Sequence, residues 1–377
     1  MKIEAKGIIC DTTIRSEGQR TAAFVGLCVT QGGSIFCSFQ IGPSKNSPTS
    51  TVLIYRSEDR GKTWREINWT FNPLIGGVPG SYSSGEIVEI EPGKLMLFAT
   101  WFDRTDPSRP LFDAETKGIL HSKNLAAIST DNGNTWSAWR ELDLGGLKGC
   151  SSTGPVLMWS DGRIAYPFES YKEFDDPRPA THGAWLLVSK DWGRTFEPPF
   201  LVARHPEFKI YYWDQRLCVG KAPGEFIALF WTHDLVQQRD LAVHLRHGSI
   251  DRKAPADVVI TATSIPGQIA APLRLDDGRL LAFVVDRCAP GSLKLWSSAD
   301  DGKTWRDPLT VYVHEERAAV TQGKENINFE QYWADMRKWS FGHPSLRKLD
   351  DDTILAAFYA GPPNNMSVHW ARVNVGT

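Results

Sequence analysis

Ser57-Glu58-Asp59-Arg60-Gly61-Lys62-Thr63-Trp64 decides the fold, because it recurs. Ser129-Thr130-Asp131-Asn132-Gly133-Asn134-Thr135-Trp136, Ser189-Lys190-Asp191-Trp192-Gly193-Arg194-Thr195-Phe196 and Ser298-Ala299-Asp300-Asp301-Gly302-Lys303-Thr304-Trp305 all read S-x-D-x-G-x-T followed by Trp or Phe. The starts lie 72, 60 and 109 residues apart, and Ser249-Ile250-Asp251 falls in the widest gap as a degenerate copy. Such a unit is a hairpin turn. Its Asp carboxylate can accept backbone N–H groups, its Gly supplies positive φ, and its aromatic ring packs back on a sheet. The four aspartates are therefore read as structural.

A second repeat surrounds the first. A turn leads into a short apolar run at Gly33-Ser34-Ile35, Gly93-Lys94-Leu95, Gly162-Arg163-Ile164, Gly224-Glu225-Phe226, Gly278-Arg279-Leu280 and Asp352-Thr353-Ile354. The runs are Ile35 to Gln40, Leu95 to Trp101, Ile164 to Glu169, Phe226 to Trp231, Leu280 to Asp286 and Ile354 to Tyr359. Six units of about 60 residues predict an all-β, six-bladed β-propeller of four-stranded antiparallel blades. The N-terminal run Lys2 to Cys10 is expected to close the last blade beside Val368 to Val375, making residues 1–377 a single domain. A helical insertion is expected near 312–338, where Glu315 to Ala319 and Phe329 to Arg337 lack strand patterning.

Composition agrees. A length of 377 residues would suggest two or three domains, but repeats in one ring account for it. Apolar residues are 41%, charged residues 23% and the formal net charge is −2, which fits a globular chain without a basic stripe for nucleic acid. The 32 Gly and 23 Pro mark many turns. No signal-peptide run opens the sequence and no stretch approaches membrane-spanning length, so a cytoplasmic protein with no membrane partner is expected. Six scattered cysteines without a CxxC pair read as buried thiols. Neither HExxH nor zinc spacing occurs, so no metal and no cofactor is expected. Gly61-Lys62-Thr63 and Gly302-Lys303-Thr304 lack the upstream Gly of a phosphate-binding loop.

The four eight-residue motifs resemble the Asp boxes of the sialidase (neuraminidase) superfamily, and the likeness spans essentially the whole chain. It implies a carbohydrate substrate and a site on the propeller axis, built from innermost strands and from loops after second strands. The innermost strands are expected to begin near Arg20, Tyr82, Ser151, Asp214, Gln268 and His343. The loops offer Gln40, Asp103 with Arg104, Glu169, His233 with Asp234, Arg287 and Tyr359. A typical sialidase uses three arginines for the substrate carboxylate, an Asp as acid/base, and a Tyr nucleophile activated by a Glu. On that pattern Arg20 takes the first arginine's place, Asp103 that of a substrate-pocket Asp, and Asp214 that of the Glu.

The sequence departs from the pattern elsewhere. The loop Gln40 to Thr51 has no Asp or Arg, His343 stands where the Tyr would lie, and Gln268 stands near the third arginine's place. The standard sialic acid mechanism is therefore not carried over. Read on their own chemistry, Asp214 and Arg216, two apart on a strand, should face the same side as an axial charged pair. Glu169 at a cleft mouth suits acid/base work, its pKa raised by partial burial. His343 suits acid/base work at neutral pH, and Tyr359 is either a replacement nucleophile or a stacking aromatic. Arg20, Asp103, Arg104, Arg216, His233, Gln268, Arg287, Trp101 and Trp231 are expected to bind substrate, with Trp213 also at the channel.

The expectation is an exo-acting glycoside hydrolase on an acidic or decorated terminal sugar. The alternatives are a uronate lyase of the same fold, with His343 or Tyr359 removing the proton, and a carbohydrate-binding propeller without catalysis.

Overall fold

Each of the six apolar runs becomes the second strand of its own antiparallel sheet in the computed structural model, which describes residues 1–252, 258–288, 290–314 and 339–376. These second strands are Ile35–Gly42, Lys94–Asp103, Ile164–Ser170, Glu225–Asp234, Leu280–Asp286 and Thr353–Ala360. The six sheets are the blades of a propeller. Blade 1 runs Thr21–Val29, Ile35–Gly42, Thr51–Ser57, Arg65–Glu66 from axis to rim, and blades 2 to 6 repeat the meander. Blades 2, 3 and 4 each gain a short fifth strand. Lys2–Cys10 forms the outer strand of blade 6, pairing antiparallel with Ser367–Asn374.

The cores lie between blades. Ile9, Ala22, Phe39, Leu355 and Trp370 form one cluster shared by blades 6 and 1, and Phe36, Ile54, Leu97 and Trp136 form one shared by blades 1 and 2. A central strand packed on both faces reads as a continuous apolar run, which is why the second strands are the most legible elements.

The boxes fold as turns between third and fourth strands. In the first, Asp59 accepts the Thr63 N–H at 2.9 Å and the Thr63 hydroxyl at 2.6 Å, while the Gly61 N–H donates to the Ser57 hydroxyl at 2.9 Å. Gly61, Gly133, Gly193 and Gly302 all have positive φ. These glycines also space the ring. A Cβ at Gly133 would lie 2.6 Å from Phe36 in blade 1, one at Gly193 2.5 Å from Met96 in blade 2, and one at Gly302 2.6 Å from Leu245 in blade 4. In the degenerate copy Asp251 instead pairs with Arg163 at 2.6 Å.

The helical expectation over 312–338 falls almost wholly outside the described residues. Its first two members, Tyr312 and Val313, end the outer strand Arg306–Val313 of blade 5. All six cysteines are free; five are buried and Cys288 is exposed.

Candidate active site

A single backbone device aims three side chains at the axis. The innermost strands of blades 1, 4 and 6 slip register against their second strands between Ala23 and Gly26, Trp213 and Arg216, and Gly342 and Ser345. Each slip holds one residue in the left-handed region: Phe24 at φ 58°, Asp214 at φ 45° and His343 at φ 51°. A non-glycine residue there costs about 1–2 kcal/mol, and such strain gathers at functional sites. Phe24, Asp214 and His343 all line one cleft of about 150 Å³. The bulge corrects the simple alternation expected for Asp214 and Arg216. The two do form a pair, at 3.9 Å, but across a slipped register rather than along a regular strand.

Glu169 faces Asp214 across the cleft floor, the second strand of blade 3 against the bulge of blade 4. The Gln215 N–H donates to Glu169 Oε1 at 3.1 Å. Burial raises both carboxyls, and the Asp214 charge pushes Glu169 well above its usual range, while Arg216, Arg287 and Lys45 oppose the rise at Asp214. A carboxyl that is desolvated and near a second carboxylate holds its proton more readily than one in water, and here that carboxyl is Glu169. The cleft is lined by the polar Ser83, Ser84, Ser151, Ser152 and Thr153 and by the aromatic Trp213, Trp231, Tyr171 and Phe112.

Three cations are buried around this floor. Arg216 is 1% exposed and donates to the Pro344 carbonyl at 3.3 Å; its Nε and Nη2 have no hydrogen-bond partner among the described residues. Arg287, also 1% exposed, lies over the Trp339 ring at 4.2 Å, and its Nε and Nη1 are likewise unpartnered among the described residues. Lys45 donates to the Trp339 carbonyl at 2.7 Å and lies 3.2 Å from the Tyr359 hydroxyl. Glu86 completes the set. It is buried, pushed up to about 7 by desolvation against the pull of Arg216 and Arg347, and seated where Gly26 and Gly154 of the flanking blades leave room.

The expected residues divide accordingly. Asp214, Glu169, His343 and Trp231 line the cleft with Trp213, and Arg216, Arg287 and Tyr359 are buried around it. Burial and the charges of Arg216, Lys45 and Arg287 hold His343 well below the usual imidazole range, its Nδ1 facing the Val25 carbonyl at 3.2 Å. The ring is therefore uncharged near neutral pH, a state that suits the base half of its expected acid/base role and not the acid half.

Gln268 braces the site from behind, accepting the Arg287 N–H at 3.0 Å and donating to Asp240 at 3.3 Å. Asp240 also takes the Trp231 indole at 2.9 Å and faces His233 Nδ1 at 3.0 Å, so His233, fully buried, supports the wall instead of lining it.

Four expectations move away from the cleft lining. Trp101 is fully buried in the core between blades 1 and 2, its indole donating to the Pro73 carbonyl at 2.9 Å, because Gly80 leaves space for the ring. Arg20 caps a short turn, and its carbonyl accepts the Met366 N–H at 3.0 Å. Asp103 caps its own loop at Thr105, 2.7 Å. Arg104 spends its donors on Ser81, Arg109 and Asn46, tying two loops together.

Sequence reasoning missed Lys45, Glu86 and Asp240. Lys45 carried a signal, being the only charged residue between Gln40 and Thr51. Among the described residues no group of three or more His, Cys, Asp or Glu is arranged to hold a metal, and no helix is long and apolar enough to cross a membrane.

Comparison with known proteins agrees with the fold. The BNR-Asp box repeat family matches residues 54–67. No curated protein matches the sequence. Among solved structures, a protein of unknown function from Dyadobacter fermentans is similar over 100% of this chain and 99% of its own, at 18% identity and a TM-score of 0.73. The α-L-arabinanase of Penicillium chrysogenum, complexed with arabinobiose, is similar over 100% and 99%, at 13% identity and a TM-score of 0.67. The sialidase of Trypanosoma rangeli, in complex with the inhibitor DANA, is similar over 99% of this chain at 13% identity and a TM-score of 0.63, and this chain spans 58% of its length. At these identities the likeness is one of fold: the chain is a six-bladed propeller with Asp-box repeats, built as the sialidase and the arabinanase are.

Proposed function

We propose that the protein is an exo-acting glycoside hydrolase that removes a terminal sugar bearing an acidic group. The observation that carries this reading is the Glu169–Asp214 pair at the floor of an aromatic-walled cleft, ringed by buried cations. Glycoside hydrolysis needs an acid to protonate the leaving oxygen and a base to activate water, one group serving as both where configuration is retained. A carboxyl raised by burial and by a neighbouring charge holds its proton at neutral pH and suits that role. The unpartnered guanidinium atoms of Arg216 and Arg287 offer planar donors to a carboxylate.

The hydroxyls of Ser84, Ser152 and Thr153 are also unpartnered among the described residues, and they suit a ligand rich in hydroxyls. Trp213 and Trp231, crossed edge to face at 5.4 Å, supply a stacking surface for a sugar face. A cleft of about 150 Å³ is small beside sites of roughly 300–1,000 Å³ that take drug-sized ligands. One sugar ring fits it better than a polymer chain, which favours exo action.

The test is a panel of 4-methylumbelliferyl glycosides of neutral sugars, uronic acids and ulosonic acids, read by released fluorophore. Turnover confined to acidic sugars is expected. Saturable sugar binding without turnover across the panel, or an unsaturated product absorbing in the ultraviolet from uronate oligosaccharides, overturns the reading.

A further inference from the structure

His343 enters the cleft from the innermost strand of blade 6, and its two ring nitrogens stand in different surroundings. Nδ1 lies 3.2 Å from the Val25 carbonyl of blade 1. A carbonyl only accepts, so Nδ1 carries the ring hydrogen and Nε2 of the neutral ring carries the lone pair. Nε2 makes no hydrogen bond among the described residues and opens on the cleft rather than being sealed in protein. The Phe24 ring stands edge-on to the imidazole, 5.3 Å away at 84°, and holds its flank. The left-handed backbone, at φ 51°, sets the direction of the side chain. The cleft therefore meets a histidine of fixed tautomer with a bare acceptor atom.

The proton donor comes from the other side of the ring. Neighbouring blades pack in chain order and blade 6 packs on blade 1, so blade 3, which carries Glu169, stands opposite blade 6. Burial and the charge of Asp214 keep the Glu169 carboxyl protonated. A sugar in the cleft thus lies between a proton donor and a lone pair. A single displacement by water needs an acid and a base on opposite faces of the sugar, with the water on the base's side.

We propose that His343 Nε2 is the general base that activates the attacking water, with Glu169 as the acid, so that the anomeric configuration inverts. The proposal rests on the hydrolase reading above. Glu169 gives its proton to the glycosidic oxygen as the bond from that oxygen to the anomeric carbon breaks. On the opposite face a water oxygen bonds to the same carbon while His343 Nε2 takes one of the water's protons. The products are the inverted sugar and the free leaving alcohol. Glu169 is left as carboxylate and His343 as imidazolium, and a proton passed between them through solvent resets both. The base is weak in the free protein, because burial and the charges of Arg216 of blade 4, Lys45 of blade 1 and Arg287 of blade 5 disfavour the imidazolium. An acidic sugar whose carboxylate sits on the two guanidiniums offsets that charge and strengthens the base, which a neutral sugar does not. The acidic group then acts on catalysis as well as on binding.

The experiment uses the intact protein and the best substrate from the glycoside panel. Proton NMR of the first-formed anomer in wild type should show inversion. His343→Gln should lose at least about 100-fold in kcat. Glycine is unstrained at φ 51°, so His343→Gly keeps the backbone; it should be as slow, and added imidazole should restore part of its rate, which a purely structural role would not allow. The primary amide of the same glycoside should fall in kcat as well as rise in KM. Retention in wild type, or near-normal kcat in both variants, overturns the base while the hydrolase reading stands. A wild type inactive on every glycoside overturns both. The stereochemical readout needs no variant, so misfolding of a mutant does not shield the proposal.

Discussion

Glu86→Gln should stabilise the protein, and by an amount that depends on pH. Glu86 is buried on the innermost strand of blade 2, facing Arg216 and Arg347 across the axis, with Oε2 unpartnered among the described residues. Desolvation outweighs those two cations and lifts its carboxyl from 4.5 to about 7 on folding. A tenfold change in proton affinity is worth about 1.4 kcal/mol, so ionised Glu86 lowers stability by roughly 3 kcal/mol relative to the protonated form.

The sign follows from the raised value. Between pH 4.5 and about 7 the folded protein holds a proton that the unfolded chain has released, so stability falls as pH rises through that window. Glutamine mimics the protonated acid and removes the loss. Urea denaturation of wild type and variant at pH 5 and pH 8 measures it. The difference should be small at pH 5 and reach about 3 kcal/mol at pH 8 in favour of the variant. A difference that does not grow between the two pH values would refute the claim that Glu86 is desolvated at the axis.

Three further outcomes are expected. Gly133→Ala should cost about 2–5 kcal/mol, combining positive φ with the Phe36 clash, whereas Gly33→Ala, at φ 86° with open space around it, should cost only about 1–2 kcal/mol; denaturation midpoints compare them, and equal losses would remove the spacer role of the Asp-box glycines. Asp214→Asn and Glu169→Gln should each lower kcat/KM by at least about 100-fold while both proteins still unfold cooperatively, and near-normal rates in both would put the acid/base pair elsewhere. Trp213→Ala should raise KM more than it lowers kcat, because its ring lines the cleft as a binding surface, and steady-state kinetics on the best glycoside separates the two.

Each part of the site was legible in sequence to the degree that local pattern sets it. Glu169, Arg287 and Tyr359 were found because they end or follow second strands, whose apolar runs mark their own boundaries. Asp214 and Arg216 were found for partly the wrong reason. Strand alternation put them on one face, whereas a register slip with Asp214 in the left-handed region aims them at the axis. Trp101 followed the same strand-end logic into error. Whether an aromatic at a strand end meets the channel or the core depends on what opposes it, and Gly80 on the paired strand made room for the indole inside. Lys45 and Glu86 have no local pattern at all. Each acquires its meaning from residues far along the chain and on other blades, such as Tyr359 of blade 6 beside Lys45 of blade 1 and Arg216 of blade 4 near Glu86 of blade 2.

The sequence alone determined the propeller, the number of blades, the turn chemistry of the boxes and the closing of blade 6 by Lys2–Cys10, because hydrophobic periodicity and turn residues act over a few neighbours. Only the tertiary structure decided which charges meet. Six blades bring Lys45, Glu86, Glu169, Asp214, Arg216 and Arg287 to one axis, and burial there, through desolvation and mutual charge, sets which of them holds a proton.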